Sequence, residues 1–245
     1  MLDALKRWLG RGRGGPDWPA VAAWAQKRGA KFKRAHDDEG LVVDGRLDGR
    51  AWRLEWGPPQ RSYIAGRELR LRMELGFSHD LQMLLMSRSL METLEGQTFE
   101  RYTENLQTHI DVSTPEEMRW LVMFQKVPLA APKEVRSRFA AVAASPTTAA
   151  AWIDGLLSER LAEVVRGPLA ADTPLVLMTL RGRVYLRLQL AEPDVATLEA
   201  MVSLFETAAA QAVRVSGGPR DGSEAWPSTS STAWQTQLQP ERPED

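Results

Sequence analysis

Between Glu68 and Leu75 apolar and charged side chains alternate without a break. Leu69, Leu71, Met73 and Leu75 fall on one side, and Glu68, Arg70, Arg72 and Glu74 on the other. Period-two patterning suits an extended chain whose side chains point alternately to opposite faces, so this run predicts a half-buried strand. A strand with one apolar face needs neighbours that share it, and the residues just upstream supply them. Trp52, Leu54 and Trp56 alternate with Ala51, Arg53 and Glu55, and Leu41-Val42-Val43 lies before them. Asp48-Gly49 between the two runs predicts a type I′ hairpin, because both central residues of that turn need positive φ. Gly57-Pro58-Pro59 stops the second strand, since proline cannot donate to a ladder. Residues 41–75 therefore read as an antiparallel meander with one face to be covered.

The remainder supplies the cover. Asp17 fits a helix N-cap, Val21, Trp24 and Ala25 an inner stripe, and Gly29 a C-cap. Lys27 to Glu39 reads as a charged connector. Leu81, Leu84, Leu85, Leu90 and Leu94 suggest a helix ending at Glu95-Gly96, with Met83, Met86 and Met91 as core filler. Leu106 to Val112 reads as a short strand. Thr114-Pro115-Glu116-Glu117 opens a helix through Trp120, Leu121 and Phe124, although Met118 to Val127 is bulky enough for a strand. Further helices are expected from Pro132 through Val142 and from Thr147 to Val165. A second hairpin at about 175–190 turns near Arg181-Gly182, and a last helix runs from Val195 to about Val213. Arg50 to Trp56 and Arg183 to Gln189 echo one another, each leaving a glycine turn into an alternating strand. The expected fold class is α+β: a meander at about 41–75 and a hairpin at about 175–190, covered by helices. Residues 16–215 form the globular part, arranged as one sheet or as two sheet-plus-helix halves.

Both ends differ from this body. Residues 1–15 read as a short helix, with Leu2, Leu5, Trp8 and Leu9 beside Lys6 and Arg7, followed by a Gly/Arg linker. Residues 216–245 are rich in Gly, Ser, Thr, Pro and Gln without periodicity and read as a disordered tail, in which Trp226 and Trp234 stand out as a short motif. Residues 1–34 carry nine Lys/Arg against Asp3 and Asp17, or +7. The net charge of −1 leaves −8 for the rest.

Function is constrained mainly by exclusion. No cysteine is present, which removes disulfides, iron–sulfur clusters and thiol catalysis and fits a reducing, cytoplasmic setting. No run approaches the ~20 apolar residues of a spanning helix, and Met1 to Gly10 lacks the pattern of a signal peptide. His36, His79 and His109 are scattered, and the acids beside His36 lie consecutively on a loop, so no metal or other cofactor is expected. No phosphate loop, dinucleotide fingerprint or nucleophile elbow appears. Nucleic acid is not expected as a partner: the body is acidic, and the two Arg-Gly steps of the linker fall short of an Arg-Gly repeat. What remains is surface. Arg53, Arg70, Arg72, Arg183 and Arg187 occupy outward strand positions and form the candidate face for an acidic partner or anionic ligand. The alternative role for such a row is solubilising decoration. Leu5, Lys6, Arg7, Trp8 and Leu9 form a second candidate, a weak contact peripheral to a membrane or with a partner.

The core around Gly45-Arg-Leu-Asp-Gly-Arg50, with the closing helix–hairpin–helix from Ala149 to Ala212, resembles uncharacterised bacterial domains of unknown function, some found near membranes. That resemblance carries no catalytic residues. The sequence thus points to a non-enzymatic interaction or scaffolding module whose partner is another protein. The alternative is an enzyme with a dispersed site acting on a small anionic ligand. Removing residues 1–15 and 216–245 is expected to leave the melting temperature nearly unchanged. In liposome co-sedimentation, binding to anionic vesicles that disappears with residues 1–15 supports the membrane contact; indifference of the full chain at low salt refutes it.

Overall fold

The computed structural model describes residues 15–35, 40–76, 81–104 and 114–217. The N-terminal helix and linker, the three histidines, the 106–112 strand and the tail with Trp226 and Trp234 lie outside these residues. Among the described residues nine strands form a single antiparallel sheet: β1 (Lys31–Arg34), β2 (Leu41–Leu47), β3 (Arg50–Gly57), β4 (Glu68–Glu74), β5 (Met83–Ser87), β6 (Gln125–Val127), β7 (Phe139–Ala143), β8 (Leu175–Leu180) and β9 (Arg183–Gln189). Their order is β1-β2-β3-β4-β9-β8-β5-β7-β6. Seven helices accompany them among the described residues: α1 (Trp18–Lys27), α2 (Arg88–Glu104), α3 (Glu116–Met123), α4 (Lys133–Arg138), α5 (Pro146–Ile153), α6 (Leu156–Arg166) and α7 (Val195–Ser216).

The meander forms as its patterning dictates. Asp48 and Gly49 have φ of 48° and 79°, as a type I′ turn requires, and Arg181 and Gly182 repeat the geometry at 51° and 69°. The echoed segments become β3 and β9, each the second strand of such a hairpin. The meander and the later hairpin join through β4 and β9, where Leu69 faces Leu188 and Leu71 faces Leu186. One sheet results rather than two.

The inner face holds the main core. Leu54, Leu69, Leu71, Leu177, Leu186 and Phe139 meet α1, α5, α6 and α7, and Phe205 and Trp152 are fully buried among them. The Trp152 indole N–H donates to the Ala208 carbonyl at 2.9 Å, which removes the cost of burying it. Asp17 caps α1 by accepting from the Ala20 amide at 3.0 Å. Trp24 and Arg28 of α1 then reach Glu199 on α7, and Arg28 also reaches Glu206 at 2.8 Å.

Several expected boundaries are corrected. Met83 to Ser87 is a central strand, not the start of a helix, and every one of its residues is buried. It lies between apolar layers: Met83 and Leu85 face the inner core, while Leu84 and Met86 face a second core formed with α2, α3, β7 and β8. A strand buried on both faces does not alternate, and spacing alone cannot tell it from a buried helix. The same reason converts the second half of the Pro132 helix into β7. Helix α2 continues through Gly96 to Glu104. The 147–165 helix is two, broken at Asp154-Gly155, where Gly155 has φ of 69°. Lys31 to Arg34 is edge strand β1 rather than connector, and Met118 to Val127 divides into α3 and β6. Proline takes the N-cap position of α3 and α4, with no side-chain cap.

Two substitutions test the inner face. Leu71 is 1% exposed. Leucine burial is worth roughly 1.5–3 kcal/mol, and a buried carboxylate adds its desolvation, so Leu71→Asp is expected to abolish the cooperative thermal transition. At Gly45 a Cβ would lie inside the indole of Trp52, its cross-strand partner. Gly45→Ala is expected to lose roughly 1–3 kcal/mol in urea unfolding through overpacking.

Candidate functional site

The outer face changes character along the sheet. Over β5, β7 and β8 it is apolar and covered by α2 and α3, whereas over β2, β3 and β4 the outward side chains include Asp44, Arg53, Glu55, Arg70 and Arg72, all at least partly exposed. Tyr63 and Tyr185 pack against the border of the apolar part. Here the structure gathers four of the five arginines singled out from sequence. Arg53, Arg70, Arg72 and Arg187 line one depression together with Glu55, Gln60, Leu71 and Tyr185, enclosing about 400 Å³ that includes open solvent. Arg183 does not join them. It stands at the start of β9, 2.5 Å from its cross-strand partner Glu74.

The register that builds the site is unusual. Arg53 lies directly opposite Arg72, and Arg70 directly opposite Arg187. Like charges across a ladder destabilise it unless something bridges them. For the second pair the bridge is Glu68, which is fully buried. Its two oxygens accept from Arg187 Nη1 at 2.6 Å and Arg70 Nη1 at 3.4 Å, and one also accepts from the Gln60 amide at 2.6 Å. Arg70 further donates to the Pro58 carbonyl at 2.8 Å and lies 3.4 Å from Glu55. These bonds hold both guanidinium groups in place.

The first pair has no such bridge. The buried Nε of Arg53 stands 3.2 Å from Glu55 and 3.5 Å from Asp44, ion-paired with both but in hydrogen-bond geometry with neither, and the buried Nε of Arg70 also makes no hydrogen bond. Arg72 is exposed and makes no ion pair among the described residues.

A clamp beside the depression fixes the β3–β4 loop. Glu117, on the first turn of α3, is 1% exposed and accepts from Arg61 Nε at 2.5 Å and Tyr63 Oη at 2.6 Å through one oxygen. Its other oxygen is buried without a partner. Burial alone would raise the Glu117 pKa, but the Arg61 guanidinium and the Tyr63 hydroxyl outweigh it and hold the carboxyl below the usual range. Burial, reinforced by Glu117, pushes the Tyr63 phenol up, so it stays protonated and donates. The loop so held carries Gln60, one wall of the depression.

Glu68 and Glu117 were missed by sequence reasoning. Glu68 sits in an outward position of an alternating strand, and Glu117 at a helix start where capping explains an acid. Only the folding of loop 58–67 over both buries them. The candidate contacts Leu5, Lys6, Arg7, Trp8 and Leu9, and Trp226 and Trp234, lie outside the described residues. Among the described residues no cluster of three or more His, Cys, Asp or Glu is placed to hold a metal ion, and no helix is long and apolar enough to cross a membrane. Chemically the depression offers four cationic side chains, of which Arg70 and Arg187 are held in place by Glu68. No family model, curated protein or solved structure matches the chain.

Glu117→Gln is expected to lose about 1–3 kcal/mol at pH 7, since the clamp loses its charge. A carboxyl whose folded pKa is depressed stabilises above its unfolded pKa, near 4.5, and that contribution disappears as pH falls through the lower folded value. Urea unfolding of the two proteins should therefore converge below pH 4.5.

Proposed function

We propose that the protein is a non-enzymatic interaction module that takes an acidic segment of another protein onto the outer face of β3, β4 and β9. One observation carries the reading: four arginines from three strands converge on a single depression in the half of the outer face that no apolar layer claims. Beside the opposite-sign pairs Asp44–Arg53 and Glu55–Arg70, which decoration explains, two arginine pairs face each other across the ladder, which it does not. Loop 58–67 and Glu68 hold two of the four cations rigidly, and rigid donors bind with less loss of side-chain freedom. Nothing that lines the depression favours the enzyme reading.

The test is association with an acidic partner. Full-length protein is immobilised and probed with host extract at low salt, and each captured protein is then measured against wild type and Arg53→Glu/Arg72→Glu. An acidic partner whose affinity falls at least tenfold in the double variant, and falls with added salt, supports the reading. Capture that is indifferent to both changes refutes it.

A further inference from the structure

We infer that the arginine depression is a receptor for one doubly charged tetrahedral oxyanion, a phosphate monoester, clasped between Arg53 and Arg72. This rests on reading the face as a binding surface and names the group that the surface selects.

The argument starts from donors and acceptors. Each guanidinium carries five N–H donors and no acceptor. The acceptors that engage these guanidinium groups are Glu55, Glu68, Asp44 and the Pro58 carbonyl, and Gln60 and Tyr185 add neutral acceptors to the lining. Glu68 is spent on Arg70 and Arg187, beneath the surface. On the open side Arg72 is without an ion pair and stands opposite Arg53 in the ladder, while the buried Arg53 Nε already lies beside Glu55 and Asp44 and leaves the terminal nitrogens of that guanidinium to meet an incoming group. That pair lacks the bridging acceptor its neighbour has. An anion between Arg53 and Arg72 would stand to them as Glu68 stands to Arg70 and Arg187.

The charge of the occupant follows from Glu55. It lines the same depression, 3.2 Å from Arg53 and 3.4 Å from Arg70. Any incoming anion meets its repulsion and competes with it for those cations. An external carboxylate would exchange one singly charged group for an equivalent one and gain little. A phosphate monoester brings close to two charges at neutral pH and three terminal oxygens, enough to engage Arg53 and Arg72 together while Glu55 stays on Arg70. Glu55 thus discriminates against carboxylates, and Arg72, with no prior commitment, is the residue on which the discrimination turns. Phosphorylated side chains of a partner and small free phosphate esters share this chemistry.

Calorimetric titration of the full-length chain separates the possibilities. The probes are a short acidic peptide carrying phosphoserine, the same peptide with glutamate in its place, and O-phosphoserine alone. The phosphopeptide is expected to bind at least tenfold more tightly than the glutamate peptide. Arg72→Gln should abolish that preference, while Arg183→Gln, on the same face outside the depression, should keep it; unchanged thermal melts confirm that both variants are folded. If O-phosphoserine matches the phosphopeptide, the receptor stands and its ligand is a free ester; if it binds far more weakly, the receptor stands and reads a modified protein. Equal affinity for the phosphate and glutamate peptides, with both weakened by Arg72→Gln, overturns the oxyanion receptor and leaves the acidic-partner reading intact. Phosphopeptide binding that ignores Arg72→Gln, or no binding of any probe at low salt, overturns the receptor as well.

Discussion

The ladder between β4 and β9 is the constraint on which the architecture depends. It joins a strand of the N-terminal meander to one more than a hundred residues later, with Glu68 to Glu74 each matched to a partner from Gln189 back to Arg183. On its inner side Leu69, Leu71, Leu186 and Leu188 press onto the core shared with α7; on its outer side it sets Arg70 against Arg187. Without this seam there are two smaller sheets, each with an exposed edge of unpaired backbone groups and half a core. Core and candidate site are the two faces of one set of hydrogen bonds.

Legibility in the sequence follows burial. Strands with one apolar and one charged face, such as β3, β4 and β9, declare themselves by alternation, and their turns by Asp48-Gly49 and Arg181-Gly182. Strands buried on both faces do not: Met83-Leu84-Leu85-Met86 and the small-residue run Phe139 to Ala143 lie between two helical layers and lose the period that would mark them. Their pairing is invisible for a further reason, since it depends on which distant strand arrives beside them. The β4–β9 seam is a contact of this kind, and local patterning carries no information about it.

The site shows the same division. The arginines could be named because outward positions on an alternating strand are set by parity. That four of them converge and Arg183 stands apart is a matter of strand order, which places β9 beside β4 and puts Arg183 at the end of the ladder. Glu68 shares the parity of Arg70 and Arg72 yet is the most enclosed acid of the three strands, because loop 58–67 folds back across it and is pinned by Arg61 and Tyr63 to Glu117. Tertiary cover overrides the sequence signal at the position that organises the charges.

The enclosed strand Met83–Ser87 also bears on how the chain comes to be folded. It is short, apolar and free of charge, the composition that promotes intermolecular pairing when left uncovered. Its ladder partners are β7 and β8, so a nascent chain has nothing to pair it with until residues through Ala143 have left the ribosome, and its second edge stays open until β8 follows. Throughout that interval an apolar segment lacks its native cover, the condition under which incomplete chains tend to associate with one another.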